Sequence, residues 1–132
     1  MASPDDHALS SARMFGGTWE DYFLVHDFFD ITKVWLSDFR HRACRHHAEG
    51  IDMAVSLFGR TLTNSDGKRV SVRLIGEQHM YEDFGLIPTW DDWWQGSVCM
   101  RDLFAADDVT ALLVAHVIPR KWMCAGAHKL SK

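Results

Sequence analysis

Apolar residues recur at helical spacing through the first 58 residues, and the ends of these stretches carry helix-capping residues. Ser3 precedes Pro4 and two aspartates, which predicts a helix that begins there and ends at Gly16-Gly17. Thr18 with Asp21 resembles a capping box that opens the next helical stretch. No Gly or Pro follows until Gly50, and Gly59 closes the region. The pattern therefore predicts two or three helices over 18–58, with a bend near residues 27–30.

The pattern changes to strand-like alternation after Gly59. Thr61-Leu62-Thr63 is followed by Asn64-Ser65-Asp66-Gly67 and then by alternating Val70, Val72 and Leu74. Gly67 can supply the positive φ that a tight turn requires. This predicts a β-hairpin over residues 60–75, followed by a helix from Gly76 to Phe84 that Gly85 ends.

The last third of the chain is less regular. Thr89 with Asp92 repeats the capping pattern before a short aromatic helix. Asp108 could begin another helix, whereas the β-branched residues of 109–118 suit a strand equally well. The fold class we predict is α+β, a mostly α-helical single domain of residues 1–132 with one β-hairpin.

Composition and charge argue against three classes of protein: disordered, nucleic-acid-binding and membrane-spanning. The 132 residues carry 14 Lys+Arg against 18 Asp+Glu, a formal charge of −4, and 8 histidines whose protonation would bring it to +4. A hydrophobic share of 47% excludes a wholly disordered chain. The acidic balance argues against nucleic acid as a partner, and the longest apolar run, 109–118, is too short to cross a membrane.

Cysteine usage indicates the compartment. The three cysteines are an odd number without C-x-x-C spacing, so they predict neither a disulfide framework nor a thiolate zinc site. The acidic N-terminus does not look like a secretory signal. We therefore expect a cytoplasmic protein.

Six of the eight residues from Arg40 to His47 are arginine or histidine. If one helix runs on from Ile31, then Arg42 and His46 share its core-facing side with Glu49 and with the apolar residues Trp35, Met53 and Leu57. Buried ionic groups must be paired or bound to metal. This face is therefore either a polar core network, with Arg42 paired to an acid, or a site.

Two further groups combine histidine with carboxylates. His79 is spaced i,i+4 from Asp83, and His26 is spaced i,i+4 from Asp30 and i,i+7 from Lys33. Histidines from separate helices with nearby carboxylates form metal sites in helical bundles. Such ligands suit Zn, Fe, Mn or Ni.

The same residues carry a resemblance to a family of small bacterial and phage proteins of unknown function. The motifs are Arg40-His41-Arg42, His46-His47-x-Glu49-Gly50-Ile51, Asn64-Ser65-Asp66-Gly67 and Ile75-Gly76-Glu77-Gln78-His79-x-x-Glu82-Asp83. The resemblance runs from His7 to Trp93, about two-thirds of the chain. It implies that the histidines belong to a pattern, that 1–96 is the family-like helical core with the hairpin, and that 97–132 is a divergent extension.

The first hypothesis is a hydrolase that depends on a divalent metal ion (Zn, Fe, Mn or Ni) and acts on a phosphoester or nucleotide. Glu77 would be the general base. The expected metal ligands are His26, Asp30, His46, His47, His79 and Asp83. The expected phosphate contacts are Lys33, Arg40, His41, Arg42 and Arg45.

The alternative is a non-catalytic phage-type inhibitor or sponge that captures a nucleotide or a host protein. The expected partner is therefore a small anionic molecule or nucleotide, or for the alternative a host protein, and a homo-oligomer is also compatible with the sequence. His7, His116 and His128 are expected to have no part in the site.

Overall fold

The computed structural model describes residues 2–94. The chain divides after Ile87 into two units, and the second is described only over Pro88–Trp94. The first unit contains α1 (Pro4–Phe15), α2 (Glu20–Asp30), α3 (Arg42–Arg45), α4 (Ala48–Phe58), β1 (Thr61–Thr63), β2 (Arg69–Ser71) and α5 (Val72–Phe84). The described part of the second unit holds α6 (Trp90–Trp94).

A mostly helical fold with one hairpin confirms the predicted α+β class. The two strands are antiparallel, with Leu62 opposite Val70 in the register. α1 packs on α2, and α5 packs on both α2 and α4. The buried core between these elements consists of Ala8, Tyr22, Val25, Phe29, Ile51, Ala54, Val70, Val72, Ile75 and Met80.

The first helix begins as its sequence predicts. The Ser3 side chain accepts a hydrogen bond from the Asp6 backbone N–H, and the Asp6 carboxylate accepts one from the Ser3 N–H in return. Thr89 and Asp92 make the corresponding pair of bonds at α6. Capping residues thus located both helix starts correctly.

The expectation of one continuous helix from Ile31 is wrong. The chain instead makes short 3₁₀ turns at Ile31–Val34 and Phe39–His41, then the single turn of α3, and begins α4 only at Ala48. Trp35 and Leu57 are 74% and 66% exposed, so the apolar stripe proposed for such a helix does not face the core. The bend predicted near residues 27–30 corresponds to the end of α2 at Asp30.

The predicted hairpin is too long at its C-terminal end. Strand β2 stops at Ser71, whose side chain caps α5 by accepting from the Leu74 N–H. Val72 and Leu74 therefore lie in a helix that begins four residues before the predicted Gly76. The alternation of Val70, Val72 and Leu74 was too short to separate strand from helix.

Two glycines allow helices to approach the region of the histidines. A Cβ on Gly50 would lie 1.8 Å from the Arg45 carbonyl oxygen, so the start of α4 presses directly against the end of α3. A Cβ on Gly76 would lie 3.1 Å from Ile51 side-chain atoms and 3.2 Å from Phe29. Gly76 thus brings α5 close to α4 and α2.

A loop of the hairpin fastens the start of α2. The Asp21 carboxylate accepts hydrogen bonds from the Thr18 N–H at 2.8 Å and from the Ser65 N–H at 2.9 Å. The Thr18 hydroxyl instead lies 3.4 Å from the Ser65 hydroxyl, so only half of the predicted capping box forms.

No helix within residues 2–94 is long and apolar enough to cross a membrane. The predicted extension 97–132 and the choice between helix and strand for 109–118 lie outside the described residues.

Candidate metal centre

Four side chains from separate parts of the fold meet in the interior. Asp30 stands at the end of α2, His46 follows the last residue of α3, and His79 and Asp83 are one turn apart on α5. One donor atom from each of the four lies within 4.8 Å of the others. The side chains of both histidines are 0% exposed, and those of Asp30 and Asp83 are 4% and 2% exposed. We call these four residues the His/Asp cluster.

The distances within the cluster are short and similar. His46 Nε2 lies 3.1 Å from His79 Nε2, 3.2 Å from Asp30 Oδ1 and 3.3 Å from Asp83 Oδ2. His79 Nε2 lies 3.6 Å from Asp30 Oδ1 and 3.4 Å from Asp83 Oδ2. A tetrahedral ion with bonds of about 2.1 Å holds its ligand atoms about 3.4 Å apart. The cluster therefore has the dimensions of a metal site and could bind a metal ion.

Its carboxylate contacts are close without being well-directed hydrogen bonds. Within the described residues, neither oxygen of Asp83 nor Oδ2 of Asp30 has a partner of good hydrogen-bond geometry, although all three atoms are buried. Such groups are rare in proteins unless an unseen water or ion satisfies them. Asp83 Oδ2 is thus a donor atom of the cluster that a metal ion would satisfy and that its neighbours within the described residues do not.

Both carboxylates are held in the charged form. Burial alone would raise the pKa of Asp30, but its contacts with His46 and His79 outweigh burial and lower it. The pKa of Asp83 is lowered against burial by contacts with His46, His7 and His79. Two buried negative charges require compensation by nearby positive charge.

His46 reaches the cluster because the chain turns sharply between α3 and α4. His46 has φ −83° and ψ 65°, and the next residue, His47, is extended and serves as the N-cap of α4. His47 Nδ1 accepts from the Gly50 N–H, while its Nε2 donates to the carbonyls of Ala43 and Cys44. The structure therefore separates the two neighbouring histidines, and His47 lies outside the cluster with both ring nitrogens engaged.

His26 stands behind His79 instead of among the four donor atoms. Its Nδ1 lies 2.9 Å from His79 Nδ1 and its Nε2 lies 2.7 Å from the Ser11 hydroxyl. Burial, reinforced by the neighbouring imidazoles of His79 and His7, lowers the pKa of His26 to about 2. It is therefore a neutral residue that contacts a cluster ligand.

His7, expected to have no part in the site, is fully buried beside it. Its Nδ1 lies 2.7 Å from Glu82 Oε1 and its Nε2 lies 3.2 Å from Asp83 Oδ1. Burial would lower the pKa of His7, but the carboxylates of Asp83 and Glu82 raise it overall. The charged form of His7 is therefore favoured on the outer side of Asp83, and His7 lies beside the candidate site in which it was expected to have no part.

His7, His26 and His79 also form a second group with closely spaced nitrogens. In this group both nitrogens of His7 already face carboxylates, and His26 has Ser11 and His79 as partners. The His/Asp cluster is therefore the better candidate for an ion.

The expected phosphate contacts are dispersed. Arg42 is 2% exposed, and its guanidinium lies 5.5 Å from the centre of the Phe84 ring. Burial lowers the pKa of Arg42, against the opposing influence of Asp83 and Asp30. His41 is buried too, with its ring 5.4 Å from that of His46.

The other expected cations lie elsewhere. Arg40 forms an ion pair of 2.7 Å with Asp38. Arg45 lies over the Phe28 ring and donates to the Phe28 carbonyl. Lys33 is exposed. Glu77 is about 200° around α5 from His79, so it faces away from the cluster.

Sequence reasoning missed the residues that support the cluster from behind. Ser11 contacts His26 across the α1–α2 interface, and Gln78 contacts the His7 carbonyl across the α1–α5 interface. Glu82, expected only as a neighbour of His79, contacts His7. The spacing of His7 and Ser11, i,i+4 on one face of α1, was the available signal.

Comparisons with known proteins identify a family. Neither a curated protein nor a solved structure matches the chain. A family model described as "Domain of unknown function (DUF6915)" matches residues 2–102, which include every residue of the His/Asp cluster. The chain therefore belongs to this family, as the resemblance had indicated.

Proposed function

We propose that the protein is a metal-dependent hydrolase acting on a phosphoester or nucleotide, with one divalent ion held by the His/Asp cluster. The observation that carries the proposal is the set of five donor-atom distances between 3.1 and 3.6 Å. Two imidazoles and two carboxylates suit Zn, Fe, Mn or Ni. In a five- or six-coordinate ion, four protein ligands leave positions for water and substrate.

The ion would lower the pKa of a bound water, which supplies a nucleophile near neutral pH. Arg42 is the cation best situated to contact a phosphate, because its guanidinium lies over Phe84, the residue after Asp83, and its Nε has no hydrogen-bond partner within the described residues. Arg40 and Arg45 would have to leave Asp38 and Phe28 to do so. The geometry gives Glu77 no part in this proposal.

Metal content tests the site first. Protein purified without a His-tag should hold about one equivalent of a divalent transition metal, and Asp83→Asn should lose at least tenfold in affinity. Glu77→Gln is the matched control, since it removes another carboxylate from α5 outside the cluster. Metal absent from the wild-type protein, even after incubation with Zn²⁺, Mn²⁺, Fe²⁺ or Ni²⁺, would overturn the proposal.

Hydrolysis is tested next with p-nitrophenyl phosphate, its bis-ester and nucleoside 5′-phosphates in the presence of each metal. We expect metal-dependent product that Asp83→Asn abolishes and Glu77→Gln retains. Arg42→Gln should raise KM more than it lowers kcat if Arg42 binds the phosphate equally in ground and transition states. Failure of the metal-loaded protein to form any product would remove the catalytic part of the proposal.

A non-catalytic binding protein is the second candidate, because the His/Asp cluster is enclosed. Its side chains are 0–4% exposed, and the concavity lined by Val55, Arg60, Ser71 and Arg73 lies elsewhere. A protein of this kind would return a captured nucleotide unaltered after denaturation, whereas a hydrolase would return product.

A further inference from the structure

We propose that a hydrogen-bonded chain behind the cluster fixes the tautomer of His79, so that His79 Nε2 always presents its lone pair to the metal ion. The chain consists of Gln78, Ser11, His26 and His79, and we call it the imidazole chain. It makes Ser11, His26 and Gln78 positioning residues. This inference rests on the metal site of the proposed function.

Gln78 determines which atom donates and which accepts in each hydrogen bond of the imidazole chain. Its amide nitrogen lies 3.1 Å from the His7 carbonyl oxygen and 3.1 Å from Glu82 Oε1. A carbonyl oxygen accepts only, as does an ionised carboxylate, so the NH₂ group must face them and Gln78 Oε1 must point the other way. Oε1 lies 2.5 Å from the Ser11 hydroxyl, which therefore donates its proton to Gln78.

The hydrogen bond from Ser11 to Gln78 determines in turn which nitrogen of His26 carries a proton. The hydroxyl has one proton, already donated to Gln78, so it can only accept from His26 Nε2 at 2.7 Å. His26 is fully buried, and its two nitrogens contact a hydroxyl and an imidazole, which favours the neutral ring. A neutral His26 with its proton on Nε2 has a lone pair on Nδ1.

His79 is the last residue of the imidazole chain. Because His26 Nδ1 accepts, the bond of 2.9 Å between the two Nδ1 atoms must carry the proton of His79. A metal ligand must be a neutral imidazole, and a neutral His79 with its proton on Nδ1 has its lone pair on Nε2, which faces His46 Nε2, Asp30 Oδ1 and Asp83 Oδ2. In that state His79 Nε2 and the two carboxylate oxygens are all acceptors, and His46 Nε2 can offer them at most one proton. Such a surplus of acceptors is what a cation satisfies.

The tautomers can be read directly in the metal-free protein. A two-bond ¹H–¹⁵N correlation spectrum of histidine-labelled protein at pH 7.5 should show the proton of His79 on Nδ1 and that of His26 on Nε2. Loss of the corresponding signals in His79→Gln and His26→Gln assigns them. A wild-type His79 that carries a proton on Nε2 and none on Nδ1 would overturn the inference, whether or not the protein binds metal.

Ser11 variants test the positioning role. Ser11→Ala should leave His79 in a mixture of tautomers and weaken Zn²⁺ binding about tenfold, within the range for residues that orient a metal ligand. Ser11→Thr retains the hydroxyl and should restore both the single tautomer and the affinity. If Ser11→Ala folds normally and changes neither quantity, the inference fails. A wild-type protein that has the expected tautomers but takes up no metal would instead refute the proposed function alone.

Discussion

His79 connects two parts of the protein interior, the His/Asp cluster and the imidazole chain. One ring nitrogen faces the His/Asp cluster and the other contacts His26, so a single imidazole joins α5 to both α2 and the α3–α4 turn. Two neighbours on α5 also contact these two groups. Asp83 faces the cluster, and Gln78 accepts a hydrogen bond from Ser11. Replacing His79 would therefore disturb the site and the packing together.

His7 is a more selective probe, because it contacts Asp83 from outside the cluster. We expect His7→Gln to weaken metal binding about tenfold, since Asp83 loses the imidazole whose Nε2 lies 3.2 Å from its Oδ1. Titration with Zn²⁺ against a chelating dye measures the change. Ser10→Ala is the control, as it removes a different hydrogen bond to Glu82 from the same helix. Equal affinities for His7→Gln and Ser10→Ala would contradict the role given to His7.

The predictability of the site differs from residue to residue. Asp30, His79 and Asp83 were among the expected ligands because i,i+4 spacing placed histidine and carboxylate together on α2 and α5. His46 was also expected, but on the face of a continuous helix that does not form. His7 was expected to have no part because its partners Glu82 and Asp83 are more than 70 residues away in sequence. Local spacing finds residues that share a helix face and cannot find pairs made only by packing.

Asp21 joins the start of α2 to the loop of the β-hairpin through hydrogen bonds to its carboxylate. The backbone N–H groups of Ser65 and Thr18 lower the pKa of Asp21, so the folded state favours its charged form. The corresponding stabilisation is present above the unfolded value of 3.8 and is lost as the pH falls through the lower folded value.

Asp21→Asn should therefore lower Tm by roughly 2–5 °C at pH 7, and the gap to the wild-type protein should narrow below about pH 4. Thermal unfolding followed by circular dichroism between pH 3 and 7 gives both quantities. Glu20→Gln removes a charge from the same helical turn without touching Ser65 and should change Tm less. A gap that stays constant over the whole pH range would show that the charge of Asp21 contributes nothing.

The starts of α1 and α6 were predictable, whereas the start of α5 and the break in the chain between Ile31 and His47 were not. Ser3 and Thr89 cap α1 and α6 through hydrogen bonds to nearby backbone N–H groups, so the local sequence indicates where these helices begin. The segment between Ile31 and His47 contains no Gly or Pro, yet it breaks into short turns. Tertiary contacts override helix propensity there, because burial of His46 beside Asp30 and Asp83 requires the backbone to turn.

At the scale of the whole molecule, the cluster ties together segments that are distant in sequence. Its ligands lie at positions 30, 46, 79 and 83 and belong to α2, the α3–α4 turn and α5. An unfolded chain cannot hold these four side chains together. Bound metal should therefore stabilise the folded state selectively.

Metal at one hundred times its Kd should add about 2.7 kcal/mol to the free energy of unfolding, which raises Tm by about 10 °C or more in a small domain. Differential scanning calorimetry of chelator-treated and Zn²⁺-loaded protein measures the shift. Asp83→Asn should show almost none of it, whereas Glu77→Gln should retain it. A shift of equal size in Asp83→Asn would mean that metal binds outside the cluster.

The near-complete enclosure of the cluster also governs how fast an ion could enter or leave. Because its side chains are 0–4% exposed, exchange has to wait for α5 to separate locally from α2 and the α3–α4 turn. The rate of release then follows the frequency of that opening, and a stronger or more concentrated scavenger outside the protein would not accelerate it. An ion taken up during folding would in this way remain with its chain long after the surrounding supply had changed.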